Sequence, residues 1–226
     1  MFLTTENIRS AKDKVLRDGY FLMEDGYSQE TCCEIRHFID TYVPTERTEI
    51  NYAGTETRIW DAHLQNPLLE EFYRGCNKFF SEMAGRDTIA RTLLAIRNTA
   101  LDPDDEKSFR GRWHIDSFRR QLKIFLFLTA TTEASGPFEF VPGTQTRAFK
   151  LRMVCQGAYF RPANAWTGKR AYQQLQDAQI GRLIAAGYGA MPIICKSGTV
   201  MVVDTSAIHR ARPCREGSRY ALTAYF

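Results

Sequence analysis

Three residues of this chain, His114, Asp116 and His209, have side chains suited to a metal site. Two imidazoles and one carboxylate can occupy one face of an iron(II) ion and leave three coordination positions open. His114 and Asp116 are two positions apart, so on a β-strand both side chains point to the same side. On an α-helix they would lie about 200° apart and would not share an ion. The spacing predicts a metal centre with open positions for a chelating co-substrate and O2.

The residues around His209 matter because a lone His-x-Asp pair is common in proteins without a metal. His209 follows an apolar, strand-like run and a short turn, and Arg219 begins the next predicted strand. A guanidinium binds a carboxylate through two parallel hydrogen bonds, and Thr223 falls on the same strand face as Arg219. Arg219 and Thr223 are therefore predicted to bind a dicarboxylate co-substrate. The alternative for Arg219 is a solvated surface residue, which an arginine at the start of a strand usually is.

Taken together, these motifs resemble those of the bacterial branch of the phytanoyl-CoA dioxygenase family. The blocks that carry the resemblance occur in the family's order, at residues 113–116, 122–129, 136–144, 198–209 and 219–226. The N-terminal run 16–23 and the segments 58–60 and 66–72 are similar to family segments as well. One departure is Thr144-Gln145, where Ser-His is commoner. The resemblance therefore spans nearly the whole chain.

The resemblance implies an Fe(II)- and 2-oxoglutarate-dependent oxygenase on a double-stranded β-helix. It implies that His114, Asp116 and His209 are the catalytic metal ligands and that Arg219 pairs with the far carboxylate of 2-oxoglutarate. O2 would be the second co-substrate, with succinate and CO2 as products. Because Asp116 fills a position that related halogenases leave to chloride, hydroxylation of a small metabolite is expected, in a biosynthetic pathway for example. Desaturation or ring closure by the same chemistry stays open.

Further candidate residues are assigned by their positions along the chain. Lys123 and Asn98 are candidates for co-substrate binding, with an outward-facing strand lysine as the alternative for Lys123. Arg97 and Asn98 alternate between strand faces, so only one of them can point inward. The candidates for substrate binding are Arg58, Arg161 and Trp166.

Two other classes of function are compatible with a metal-binding barrel. One is a cupin-type isomerase or lyase, but cupins favour three histidines with a glutamate, and no third histidine lies near the motif. The other is a non-catalytic binding module, which would be expected to have lost a metal ligand or Arg219. The retention of all four residues favours the oxygenase.

The hydrophobic pattern predicts a mainly β protein with flanking helices. Apolar positions at helical spacing predict helices near residues 5–18, 28–42 and 66–85, and short strands with turn signals follow from residue 91. We expect a single oxygenase domain over residues 1–226, with a helical buttress over 1–90. The core over 91–226 would be a double-stranded β-helix of the jelly-roll, cupin-like type. A polar insertion at about 145–190, with a helix over 171–180, would be a lid or a surface helix.

Composition limits the remaining possibilities. The chain has 226 residues, 44% of them hydrophobic, and a net charge of +4 without a basic run interleaved with aromatic residues, so nucleic-acid binding is not expected. The N-terminus lacks the pattern of a secretory signal, and no apolar run approaches the roughly 20 residues of a membrane span. The six cysteines show no CxxC spacing and are expected to be reduced thiols. These features predict a cytoplasmic monomer or homodimer that acts on a small molecule.

Overall fold

The computed structural model describes residues 4–102, 111–155 and 173–226. Arg161, Trp166 and the middle of the predicted insertion lie outside the described residues. Two antiparallel sheets form the framework, one of seven strands and one of five. The predicted fold class, mainly β with flanking helices, is confirmed.

The larger sheet has the spatial order β1-β10-β6-β12-β4-β3-β2. Its strands, in that spatial order, are β1 (Tyr20–Met23), β10 (Val200–Asp204), β6 (Leu122–Phe127), β12 (Ser218–Tyr225), β4 (Thr92–Thr99), β3 (Glu56–Ile59) and β2 (Thr48–Asn51). The smaller sheet has the order β8-β5-β11-β7-β9. Its strands are β8 (Gln173–Gln174), β5 (His114–Ile115), β11 (His209–Ala211), β7 (Phe138–Phe140) and β9 (Met191–Pro192).

Three N-terminal helices begin where capping chemistry predicts. They are α1 (Thr5–Asp18), α2 (Gln29–Thr41) and α3 (Pro67–Ala84). Thr4, Ser28 and Asn66 each accept a backbone N–H of the first turn through the side chain, which satisfies donors that a helix leaves unpaired. A short 3-10 turn (Ala62–Leu64) precedes α3, and two further helices, α4 (Arg147–Cys155) and α5 (Asp177–Ala185), lie among the described residues.

Because successive side chains of a strand point to opposite sides, the larger sheet has two different faces. One face packs against the N-terminal helices in a buried cluster that includes Phe72 of α3, Ile124 of β6 and Leu222 of β12. On the other face, Phe125 of β6 contacts Phe138 of the smaller sheet, with ring centroids 5.5 Å apart. The metal-site candidates belong to the smaller sheet and lie opposite this second face, between the two sheets.

The boundary predicted at residue 90 does not separate helices from strands. β1, β2 and β3 all belong to the larger sheet, and β3 pairs directly with β4. The predicted helix over residues 171–180 is also corrected, because β8 occupies Gln173–Gln174 and α5 begins only at Asp177. α4 was not predicted, since a buried lysine, Lys150, interrupts its apolar positions.

Candidate metal centre

The two ligand-bearing segments meet in the smaller sheet. His209 of β11 is the cross-strand partner of His114 of β5, and the two rings lie 4.2 Å apart by their centroids. Asp116 follows β5 directly, and its backbone N–H donates to the carbonyl of Thr205 at 3.1 Å. Strand pairing and this backbone bond therefore bring together residues that are far apart in the chain.

The donor atoms of the predicted triad form a compact group. Nε2 of His114 lies 3.7 Å from Oδ1 of Asp116, and Nε2 of His209 lies 3.7 Å from Oδ2. The ligand atoms of all three residues lie within 4.8 Å of one another. Two imidazole nitrogens and a carboxylate at these separations can bind one divalent ion and leave positions open on its far side.

Backbone carbonyls orient both imidazole rings. Nδ1 of His114 lies 2.7 Å from the carbonyl of Arg112, and Nδ1 of His209 lies 2.9 Å from the carbonyl of Ala207. A carbonyl only accepts, so Nδ1 carries the proton and the lone pair of each neutral ring is on Nε2. Burial lowers the pKa of His114, and burial together with the charge of His114 lowers the pKa of His209 to about 3. Both rings are therefore neutral near pH 7, as metal binding requires.

Asp116 is paired with a lysine of the larger sheet. Nζ of Lys123 on β6 lies 2.7 Å from Oδ2 of Asp116. Burial raises the pKa of Asp116, but the neighbouring His209 and Lys123 outweigh it and hold that pKa below its ordinary value. The carboxylate is therefore charged at neutral pH, and Lys123 faces the metal centre rather than the solvent.

A cavity of about 890 Å³ opens beside the triad. His114, Asp116, Lys123 and Arg58 all line it. The other described residues that line it are Glu49, Asn51, Tyr52, Ala53, Glu56, Gly111, Gln174, Ala211 and Tyr225. The ligand group therefore faces a space large enough for a co-substrate and a small substrate.

Arg219 lies on the inner face of the larger sheet, at the end of a chain of polar contacts. Its Nη2 donates to Oδ1 of Asn98 at 2.8 Å, and Nδ2 of Asn98 donates to Oε2 of Glu56 at 2.8 Å. Oε1 of Glu56 in turn lies 2.9 Å from Nε of Arg58. Arg219 is only 6% exposed, and its Nη1 is buried without a hydrogen-bond partner among the residues that the structure describes. A guanidinium in this state has a donor available for an anion.

The structure brings the four predicted co-substrate residues to one face of the larger sheet. Thr223 is buried on the same side of β12 as Arg219. On β4, Asn98 is the inward residue, whereas Arg97 pairs with Asp40 on the opposite side of the sheet. The sequence analysis missed Glu56, which links Asn98 to Arg58, because β3 itself was not predicted. The signal that could have found it is the alternation of Glu56 and Arg58 along a short strand.

Comparison with known proteins agrees with the predicted family, fold and cofactors. A family model described as Phytanoyl-CoA dioxygenase (PhyH) matches residues 15–219. No curated protein matches the sequence. The fold is shared with solved structures of low sequence identity, and several of these contain iron or 2-oxoglutarate, the two predicted cofactors.

Three of these structures illustrate the similarity. The epimerase SnoN, solved with Fe3+, alpha ketoglutarate and nogalamycin RO, is 14% identical and has a TM-score of 0.67 over 98% of this chain and 84% of its own. The alpha ketoglutarate dependent carbocyclase SnoK from nogalamycin biosynthesis is 15% identical, with a TM-score of 0.68 over 99% and 83%. EctD from S. alaskensis, solved with 2-oxoglutarate and 5-hydroxyectoine, is 15% identical, with a TM-score of 0.68 over 99% and 75%.

Proposed function

Because the chain belongs to the phytanoyl-CoA dioxygenase family, we propose that it is an iron(II)- and 2-oxoglutarate-dependent oxygenase that hydroxylates a small metabolite. Succinate and CO2 would be the co-products. The observation that carries this proposal is the convergence of His114, Asp116 and His209 within 4.8 Å at the edge of a cavity of about 890 Å³.

The residues present fit both iron and 2-oxoglutarate. The triad offers two neutral imidazoles and one charged carboxylate, which is the ligand set of mononuclear iron(II) oxygenases. Arg219 supports a carboxylate partner, because its Nη1 is buried and unpaired among the described residues. Lys123 lines the cavity beside Asp116 and supplies a second positive charge for a dianionic co-substrate.

Each residue of the centre has a definable task in this function. The iron, when bound, supplies the chemistry of O2 activation. His114 and His209 are held by the carbonyls of Arg112 and Ala207, which keep Nε2 of each ring on the metal side. Asp116 contributes the negative charge, and Lys123 beside it supplies a positive charge that favours an anionic co-substrate.

The cavity lining supports a polar substrate. Among the described lining residues, only Ala53, Gly111 and Ala211 have side chains without a polar atom, and none is a leucine, isoleucine, valine, methionine or phenylalanine. An acyl chain or a flat aromatic scaffold would gain little by burial against such a surface. Hydroxyl and amino groups would find partners in Glu49, Asn51 and Tyr52 instead. We therefore favour a compact, hydroxylated substrate over an acyl thioester.

Relatives of the same fold support more than one reaction outcome. EctD was solved with the hydroxylated compound 5-hydroxyectoine and HygX with hygromycin B, whereas SnoN is an epimerase and SnoK a carbocyclase. Hydroxylation is proposed over halogenation because Asp116 fills the position that related halogenases leave to chloride. Epimerisation or ring closure is the second candidate, since it would use the same triad.

Anaerobic titration of the protein with Fe(II) and then 2-oxoglutarate tests the proposal. We expect a weak visible absorption band that needs both additions and is absent in Asp116→Ala. Iron binding without the band would favour a cupin-type isomerase or lyase, and no iron binding would favour a non-catalytic module. Succinate formation under O2 should then rise with hydroxylated probes, such as aminocyclitols and sugars, and stay at the basal rate with medium-chain acyl-CoA esters.

A further inference from the structure

We propose that Lys150, which lies outside the metal centre, is a positioning residue that holds both ligand-bearing segments in the geometry needed for metal binding. The inference rests on the proposed function, because it concerns the same centre. It starts from an unusual placement: Lys150 belongs to α4 and is only 3% exposed, whereas lysine is almost never fully buried without partners.

The ammonium of Lys150 bridges the two segments that carry the ligands. Nζ donates to the carbonyl of Phe118 at 2.9 Å and to Oγ of Ser206 at 2.6 Å. Phe118 follows Asp116 by two residues, and Ser206 precedes His209 by three. One side chain of a separate helix therefore connects the loop after the first two ligands to the turn before the third.

The turn before His209 is held by a buried carboxylate as well. Asp204 is fully buried, and its Oδ1 accepts from the backbone N–H of Ser206 at 3.0 Å and from Oγ of Ser206 at 2.6 Å. Because the Ser206 hydroxyl donates to Asp204, its oxygen accepts from Lys150. The cluster Lys150–Ser206–Asp204 thus fixes the position of Ser206 from two sides.

This turn controls the orientation of the third ligand. The carbonyl of Ala207, the residue after Ser206, accepts from Nδ1 of His209 at 2.9 Å. The carbonyl of Thr205, the residue before Ser206, accepts the backbone N–H of Asp116 at 3.1 Å. A displacement of Ser206 would therefore move both the carbonyl that orients the His209 ring and the carbonyl that anchors Asp116.

The energetics argue that the lysine is retained for this bridge. A buried ammonium is unfavourable unless it is hydrogen-bonded and compensated by charge, and an apolar residue would fill a helix–sheet contact without that penalty. Ser206 links Lys150 to one buried carboxylate, Asp204. That carboxylate is shared with Arg120, whose Nε lies 3.3 Å from Oδ2. What lysine supplies, and methionine of similar length does not, is two simultaneous hydrogen bonds to the ligand-bearing segments.

The test is a double-mutant cycle on metal affinity with the full-length protein. Co(II) and Fe(II) affinities are measured anaerobically by calorimetry for wild type, Lys150→Met, Ser206→Ala and the double variant, together with the visible spectrum of the Co(II) protein. Loss of an outer partner of a metal ligand typically lowers metal affinity about 10- to 100-fold. We expect a loss of that size in Lys150→Met, an altered Co(II) spectrum, and a double variant that binds no more weakly than Lys150→Met, because the two residues act through one contact.

Thr131→Val is the matched control. Thr131 is also buried, and its hydroxyl donates to the carbonyl of Ile193 and accepts from the N–H of Cys195, so it joins two segments that carry no ligand. This variant should lose stability and keep wild-type metal affinity and spectrum. An equal loss of metal affinity in Thr131→Val would show that the effect is general destabilisation and would overturn the proposal.

The remaining outcomes separate this inference from the proposed function. Wild-type metal affinity in folded Lys150→Met and Ser206→Ala, or losses that multiply in the double variant, would overturn the role of Lys150 alone. A wild-type protein that binds neither Co(II) nor Fe(II) would overturn the proposed function itself. If Lys150→Met does not fold, Ser206→Ala, which removes one hydroxyl, decides the question by the same affinity measurement.

Discussion

The ammonium of Lys123 lies 2.7 Å from Oδ2 of Asp116, so a buried cation directly faces the carboxylate of the candidate metal centre. The same Nζ lies 4.3 Å from the centre of the Tyr225 ring. Like charges repel strongly where water is excluded. Lys123 is therefore placed to oppose a divalent metal at Asp116 and to favour an anionic co-substrate beside it.

Replacement of Lys123 should change the affinities for metal and co-substrate in opposite directions. In Lys123→Met we expect tighter Fe(II) binding, because a repelling charge is removed. We expect at least about tenfold weaker 2-oxoglutarate binding, because a charge-assisted hydrogen bond is lost. Anaerobic calorimetry measures the two separately, with the exposed Lys196→Met as control. Weaker Fe(II) binding, or unchanged 2-oxoglutarate binding, would contradict the assignment.

Replacement of Asp116 should remove the metal while leaving the fold. Asp116→Ala deletes the one charged ligand of the group, so we expect no measurable Fe(II) binding at concentrations that saturate the wild type, and no succinate release. Circular dichroism should stay native, because the β5–β11 pairing does not depend on this side chain. The exposed Asp87→Ala controls for loss of a carboxylate. Native succinate release from Asp116→Ala would refute the ligand assignment.

Most of the fold was predictable because its elements repeat a simple period. The side chains of β4 and β12 point alternately to the two faces of the sheet, and both faces are largely buried. Helix α3 has an apolar stripe that runs from the capping Asn66 to the terminal Gly85. The β2–β3 hairpin was missed for a physical reason. Its turn places Tyr52 and Ala53 at φ 52° and 54°, a region that such residues rarely adopt. These two residues separate Asn51 from Gly54, so the adjacent Asn-Gly pair that usually marks a hairpin is missing.

The grouping of the three candidate metal ligands was predictable from spacing and from the family resemblance, but the contacts that support them were not. The link from Arg219 through Asn98 to Glu56 depends on the register of β12, β4 and β3. The bridge from Lys150 depends on where α4 packs. Both are set by tertiary packing between segments distant in the chain, which local periodicity does not encode.

Lys150 should make the free energy of unfolding depend on pH in the alkaline range. Burial lowers the pKa of Lys150 to about 8, while Asp204 raises it and Arg120 lowers it. Between that value and the ordinary 10.5, the unfolded chain binds the proton and the folded chain does not, so stability rises with pH. The gain is about 3 kcal/mol at most.

The measurement is the difference in unfolding free energy between wild type and Lys150→Met. Urea unfolding at neutral pH and near pH 11 (about half a unit above that ordinary lysine pKa) should show this difference shifting in favour of the wild type. Using the difference cancels the titration of tyrosines and thiols that both proteins share. A difference that is constant with pH, or that shifts in favour of Lys150→Met, would contradict the pKa direction and its cause.

Arg219 separates the 2-oxoglutarate proposal from a generic metal site. If its unpaired Nη1 binds the far carboxylate, Arg219→Ala should lose about 2–5 kcal/mol of co-substrate binding, which is roughly a 30- to several-thousand-fold loss of affinity. Arg219→Lys keeps the charge but lacks the planar guanidinium, so its 2-oxoglutarate affinity should fall between those of the wild type and Arg219→Ala. Iron affinity should stay at the wild-type value, because Arg219 is outside the ligand group.

Arg219 also carries a structural hydrogen bond, so stability must be followed alongside binding. Arg219→Ala leaves Oδ1 of Asn98 without its donor, for which we expect about 1–3 kcal/mol of destabilisation. Arg97→Ala is the matched control, since Arg97 lies on the opposite face of the same sheet and pairs with Asp40; it should leave 2-oxoglutarate affinity unchanged. Wild-type 2-oxoglutarate binding in a folded Arg219→Ala protein would assign the far carboxylate to Lys123 or Arg58, the lysine and the arginine among the described residues that line the cavity.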